Sequence, residues 1–154
     1  MMNLCCDVLK ALEGRTLSVA ESCTGGGIGA SLTAVSGASR VFVGGVISYT
    51  NAVKNRILGV NQEILDEFGA VSAPVARAMA SGVRELMQCD VAVSVTGLAG
   101  LGGDDFGNPV GTVFIGYADE NQALAKEYHF DGDRDSVRNQ AVRAALELIL
   151  EVLN

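Results

Sequence analysis

Apolar residues recur at helical spacing from the start of the chain, where Leu4, Val8, Ala11 and Leu12 share one face of residues 3–13 and Gly14 is placed to stop the helix. From Thr16 to Ala20 the pattern shortens to an apolar strand, and from Gly25 to Ala34 it becomes helical again. Val41 to Tyr49 is rich in β-branched and aromatic residues and predicts a second strand, ending in the turn-prone pair Thr50-Asn51. Lys54 then falls just inside a short helix. Helical stretches follow from Asn61 to Phe68 and from Pro74 to Met87, the latter with Val75, Met79, Val83, Leu86 and Met87 on an apolar face behind its N-terminal proline. Asp90 to Thr96 is a near-continuous apolar run that predicts a buried strand, and it opens into the glycine-rich loop Gly97 to Gly103. Val110 to Ala118 and Ala123 to Phe130 predict an antiparallel pair turning around Asp119 to Gln122, before a long closing helix from Arg134 to Leu153.

This order of elements predicts the fold class α/β. The last two strands are too closely connected for a crossover helix, so the sheet is mixed; with helices on both faces, the architecture is a three-layer α/β/α sandwich whose sheet is mostly parallel. No linker or internal repeat divides residues 1–154, which predict a single domain. In sheets of this kind ligands lie outside the carboxyl ends of the strands, where Ser22, Tyr49 and Thr96 fall.

Composition narrows function more than fold. The formal net charge of -7 argues against a general nucleic-acid role, since a phosphate backbone needs a basic face, so any anionic ligand must be caught locally. Cys5, Cys6, Cys23 and Cys89 have no paired metal or redox spacing and read as reduced thiols. No apolar run reaches membrane-spanning length and no leader pattern opens the sequence, so no membrane association and a cytoplasmic location are expected. An apolar fraction of 49% in a small domain favours self-association, and a homo-oligomer is expected.

The segment Val19 to Gly27 sets Ser22, Cys23 and Thr24 where a strand enters a helix. Backbone N–H groups near Ser22 to Gly25 lack intrahelical partners in that reading and can hold a phosphate or an oxyanion. Ser22 itself is either a helix cap or a nucleophile. A serine nucleophile needs a base, and the one histidine, His129, sits in a predicted strand without a local motif and reads as structural. The other base available to serine is an uncharged lysine, produced when burial depresses its pKa. Lys54 is the candidate, and at the first turn of its helix the dipole lowers its pKa further. Thr96 and the glycines after it either form a plain turn or bind a substrate amide or phosphate. Glu21 is either an acid or orienting group, or a partner of Arg40 or Lys54. Cys23 is the rival nucleophile, but with no histidine partner it reads as a small packing residue. Arg134 and Arg138 lie one turn apart behind Asp133 and either converge on a phosphate or are solvated. No HxH, HExxH or carboxylate cluster argues for a metal, and the glycine loops lack a Walker lysine or a GxGxxG opening.

The segments AESCTGG (20–26), SYTNAVKNRILGV (48–60), FGAVSAPVA (68–76), VSVTGLAG (93–100), NPVGTVFIGYA (108–118) and GDRDSVRNQAV (132–142), in this order and at matching intervals, together resemble the competence/damage-inducible CinA C-terminal family. The likeness runs over nearly the whole chain from about Leu4. The characterised activity of that family is nicotinamide mononucleotide deamidase. The resemblance therefore implies a metal-free, cofactor-free serine amidohydrolase that converts nicotinamide mononucleotide to nicotinic acid mononucleotide and ammonia, a salvage step toward NAD. Carried over by motif, it implies Ser22 as nucleophile and Lys54 as base of a Ser/Lys dyad, with Tyr49 in the same catalytic set. It further implies Thr24, Gly25, Gly26, Ser39, Thr96, Gly97 and Arg138 as substrate-binding residues. Two positions depart from the pattern: Leu101 stands where the glycine loop often has proline, and Gly27 where a bulky residue is common. In some relatives the unit follows a larger domain with pyrophosphatase activity, which is not carried over. The alternative from another class is a non-catalytic mononucleotide-binding or regulatory module with the same pocket.

Overall fold

The computed structural model describes Met1–Asn154 and alternates helices and strands in the order that the apolar periodicity predicts: α1 (Met2–Ala11), β1 (Leu17–Glu21), α2 (Gly27–Thr33), a 3-10 turn (Ala38–Arg40), β2 (Phe42–Ile47), α3 (Asn51–Arg56), α4 (Gln62–Phe68), α5 (Ala73–Met87), β3 (Val91–Gly97), β4 (Thr112–Ala118), β5 (Ala123–His129) and α6 (Arg134–Leu153). The strands form one sheet in the order β2-β1-β3-β4-β5. Neighbours are parallel from β2 to β3 and antiparallel from β3 to β5, so β4 alone runs against the other four. The mixed, mostly parallel α/β/α sandwich is therefore the observed architecture.

Period-two alternation sends the two faces of each central strand into different layers. Leu17, Val19, Val93, Val95, Val113 and Ile115 point into the larger core, which they share with α1, α2 and α6. Ala20 and Ala92 point the other way, against Val75, Met79 and Val83 of α5 and Leu65 of α4. Residues facing α5 are small, and this lets the helix lie close on the sheet. The Ser94 hydroxyl donates to the Ala76 carbonyl at 2.6 Å, and a Cβ on Gly116 would overlap that same carbonyl. None of the helices is long and apolar enough to cross a membrane.

The edge strand β2 departs from simple alternation. Leu17 pairs with Phe42 but Ser18 pairs with Gly44, which leaves Val43 as the extra residue of a bulge. The slip turns Phe42 toward the α1–α2–α6 layer and Val46 toward the α4–α5 layer. Beyond the bulge β1 and β2 stay in register to Glu21 and Ile47, so their carboxyl ends finish level, next to the end of β3.

Close docking of α5 makes a direct prediction. Gly116→Ala forces a methyl against backbone at Ala76, and overpacking of this kind costs about 1–3 kcal/mol. The melting temperature should fall by several degrees in a thermal denaturation monitored by circular dichroism; an unchanged value would contradict the packing.

Candidate active site

β1 delivers Ser22, and β2 together with α3 delivers Lys54. The Ser22 N–H donates to the Val95 carbonyl at 3.0 Å and the Ser48 N–H to the Glu21 carbonyl at 2.8 Å, which ties the three strand ends together. Thr50 caps α3, its hydroxyl accepting the Val53 N–H at 3.3 Å, so the chain reverses at once and Lys54 reaches back over the strand ends. Its Nζ donates to the Ser48 carbonyl at 2.8 Å and lies 3.1 Å from Ser22 Oγ. Lys54 is 1% exposed and Ser22 7%. In the neutral amine one N–H stays on the Ser48 carbonyl while the lone pair is available to the Ser22 proton. The Ser48 hydroxyl, also buried, is the one such side-chain polar atom without a hydrogen-bond partner.

Burial is the main cause that lowers the Lys54 pKa from 10.5 to about 8, because the ammonium loses its water. Cys23 opposes this only as a thiolate, and burial pushes its thiol up to about 11. At neutral pH Cys23 is thus uncharged, which argues against it as nucleophile and removes it as a counter-charge for Lys54. The helix dipole is not the cause. Lys54 lies in the last turn of α3, where the dipole favours its charged form, and the expectation of a first-turn position is corrected. With a pKa near 8, about a tenth of the lysine is neutral at pH 7.

Ser22, Cys23 and Lys54 line a cleft of about 260 Å³ together with Tyr49, Asn51, Ala70, Val71, the run Thr96 to Gly100, and Arg134. The Thr96 hydroxyl donates to the Ala70 carbonyl at 2.8 Å, and Gly97 passes so close to Thr112 and Val113 that no side chain fits. Tyr49 is exposed at the cleft and makes no hydrogen bond to Ser22 or Lys54; its phenol accepts from Arg134 Nη2 at 3.3 Å. Arg134 also donates to the Gly100 carbonyl at 2.7 Å, bridging the two rims.

Five residues expected to bind substrate do not line this cleft. Arg138 donates Nε to the Cys23 carbonyl at 3.0 Å and Nη2 to the Thr24 carbonyl at 3.3 Å, so it braces the turn from behind while Arg134 takes the position in the cleft. Thr24 is buried with its hydroxyl donating to Glu21 at 2.6 Å. Gly25 and Gly26 have φ of 58° and 107°, the left-handed geometry that lets the chain turn into α2. Ser39 is exposed on the turn that enters β2, whereas Ser22 follows the exit of β1, a strand length of about 16 Å away. Glu21 pairs with neither Arg40 nor Lys54: its carboxylate accepts the N–H groups of Ile28 at 2.9 Å and Gly29 at 3.0 Å. The first turn of α2 is therefore not an open anion site. His129 sits on β5 with its ring nitrogens against Glu127 and Thr112, away from the cleft.

Residues 2–153 match the family model described as the CinA C-terminal domain. The chain belongs to the CinA C-terminal domain family. It is 55% identical over 122 residues to a CinA-like protein of Gloeothece citriformis, covering 79% of this chain and 29% of the relative. A CinA-like protein of Nostoc punctiforme is 50% identical over 144 residues, 92% of this chain and 34% of the relative. The chain thus spans about a third of the length of these CinA-like relatives. Among solved structures, competence damage-inducible protein A of Klebsiella pneumoniae superposes with a TM-score of 0.96 at 36% identity, covering 99% of this chain and 96% of that one. The competence/damage inducible protein of Agrobacterium tumefaciens gives 0.92 at 39% identity, covering 99% and 94%.

The electrostatics of this CinA-type site are open to measurement. In a titration of the lysine side chains by heteronuclear NMR, the Lys54 resonance should have its midpoint near 8, and Cys23→Ala should leave it there because the thiol is neutral in that range. A Lys54 midpoint near 10.5 would contradict the burial argument.

Proposed function

We propose that the protein is an amidohydrolase that cleaves the carboxamide of nicotinamide mononucleotide, giving nicotinic acid mononucleotide and ammonia, and that it acts in the cytoplasm. The observation that carries the reading is the buried contact of 3.1 Å between Lys54 Nζ and Ser22 Oγ, made by a lysine whose pKa burial holds near 8. A lysine tuned in this way is a general base at the pH where a serine hydroxyl needs one. The family likeness supplies the substrate.

Neutral Lys54 takes the Ser22 hydroxyl proton as Oγ bonds to the amide carbon, and the carbonyl oxygen becomes an oxyanion. The C–N bond then breaks as the Lys54 ammonium returns that proton to the nitrogen, so ammonia leaves and an ester to Ser22 remains. Water attacks the ester, giving its proton to Lys54; the proton passes back to Oγ as the carboxylic acid departs and ionises. Through all three steps the Ser48 carbonyl holds one Lys54 N–H and keeps the amine aimed at Ser22. In this reading Arg134, the other cation of the cleft, binds the phosphate of the nucleotide; its contact with the Tyr49 phenol at the cleft supports that role.

Purified protein should release ammonia from nicotinamide mononucleotide. Ser22→Ala and Lys54→Ala should each lower kcat by about 10³-fold or more, in line with the loss of a nucleophile or its base. His129→Ala should be fully active, and Lys54→Arg should not restore activity because a guanidinium stays charged. Tight binding without product would instead favour a binding module. Because the base must be neutral, kcat/KM should rise about tenfold per pH unit below 8 and level off above it. A rate that falls across that range would contradict Lys54 as the base.

A further inference from the structure

The turn that carries Ser22 is held from two sides by side chains that do not enter the cleft. On one side the Glu21 carboxylate, only 1% exposed, accepts from the Thr24 hydroxyl and from the Ile28 and Gly29 N–H groups. It acts as a built-in anion at the start of α2, where the chain's own backbone would otherwise attract one. On the other side the Arg138 guanidinium, projecting from α6, takes the Cys23 and Thr24 carbonyls. The Ser22 carbonyl is taken as well, by the Gly25 N–H at 3.0 Å.

All three carbonyls of Ser22, Cys23 and Thr24 are therefore engaged, while the N–H groups of Cys23 and Thr24 donate to no backbone carbonyl and no side-chain acceptor. Because the peptide is planar and trans, each N–H points opposite to the carbonyl of the residue before it. Drawing the Ser22 carbonyl toward Gly25 turns the Cys23 N–H away from that side. Drawing the Cys23 carbonyl toward Arg138 turns the Thr24 N–H away from the guanidinium. Of the two, Cys23 lines the cleft, and an unpartnered donor next to the nucleophile has the chemistry of an oxyanion hole.

We propose that Glu21 and Arg138 are positioning residues that lock the Ser22–Thr24 turn, so that the Cys23 N–H, at the cleft, binds the oxyanion formed by attack of Ser22. This rests on the amidohydrolase reading above and deepens it. Neither side chain touches the reacting atoms, and neither moves a proton. Glu21→Gln tests the lock with almost no change of shape, since its amide nitrogen sets a donor against one of three donors. The expected result is a fall in kcat of about 10²–10³-fold, the effect of losing one oxyanion donor. KM should stay within about twofold and the pH midpoint should remain at the wild-type value, because Lys54 is untouched. Arg138→Gln should act in the same direction, and it provides the test if Glu21→Gln is poorly folded.

A second readout does not depend on the amide substrate. A fluorophosphonate reacts with an activated serine and leaves a tetrahedral phosphorus whose oxygen occupies the oxyanion position. Labelling of Ser22, located by mass spectrometry, should slow in both variants by at least tenfold. Equal labelling and equal kcat in wild type and variants, with only a lower melting temperature, would overturn the proposal and leave the dyad standing. A raised KM at constant kcat would likewise overturn it, since that marks substrate binding. Failure of wild-type Ser22 to label, with full turnover by Ser22→Ala, would remove the dyad and this proposal together.

Discussion

The site depends on one lysine kept in a place where its charge is unfavourable. Lys54 is all but excluded from water, and its close polar contacts are a backbone carbonyl and the Ser22 hydroxyl rather than a carboxylate. A neighbouring acid would hold the ammonium charged and abolish it as a base. The nearest acid in sequence to Ser22, Glu21, is turned away to α2, and the nearest thiol, Cys23, is held neutral by burial. The fold thus removes every counter-charge from the lysine while keeping it within hydrogen-bond reach of Ser22. Lowering its pKa from 10.5 to about 8 corresponds to about 3 kcal/mol against the charged form, a cost that the packed layers around it must carry.

That requirement explains features that have no chemistry of their own. The ends of β1 and β2 must be level for Ser22, which follows β1, to meet Lys54, which follows β2, and the parallel register beyond the β2 bulge makes them so. The reversal capped by Thr50 must be short, or the lysine would overshoot the strand ends. The small residues under α5, Ala20, Ala92, Ser94 and Gly116, let that helix close over the sheet with Leu58 and Val60 in the same cluster, directly after α3. Gly27 belongs to this set on the opposite face: a Cβ there would press on Val142, so the glycine that departs from the family pattern is where α2 packs on α6.

Much of this was legible in the sequence, and the failures have physical causes. Apolar periodicity placed every major element, because burial in three layers leaves a strong two- or 3.6-residue signature. Elimination of histidine directed attention to Lys54, and the structure brings it to Ser22. The orphan donors expected near Ser22 to Gly25 remain at Cys23 and Thr24, whereas those of Ile28 and Gly29 in the first turn of α2 are filled by Glu21, since a side chain seven residues upstream can fold back in a way that no local pattern records. The separate positions of Arg134 and Arg138 were hidden for a similar reason. They are one turn apart on α6, and only the packing of Val137 and Ala141 against the sheet decides which reaches the cleft and which the back of the turn. Ser39 was carried over by motif alone, and its place at the entrance of β2 puts a strand length between it and Ser22. The bulge at Val43 and the Ser48 carbonyl left no trace, because both are properties of backbone.

The most direct test of the Ser22–Lys54 site is to catch the covalent intermediate. Turnover of nicotinamide mononucleotide is quenched in acid within the first catalytic cycle, and the protein is mapped by peptide mass spectrometry. The predicted result is a nicotinic acid mononucleotide ester on Ser22, formed with the release of one ammonia per adduct and absent in Lys54→Ala. An adduct on Cys23, or water attacking the amide directly so that product forms at the full rate in protein lacking the Ser22 hydroxyl, would contradict it.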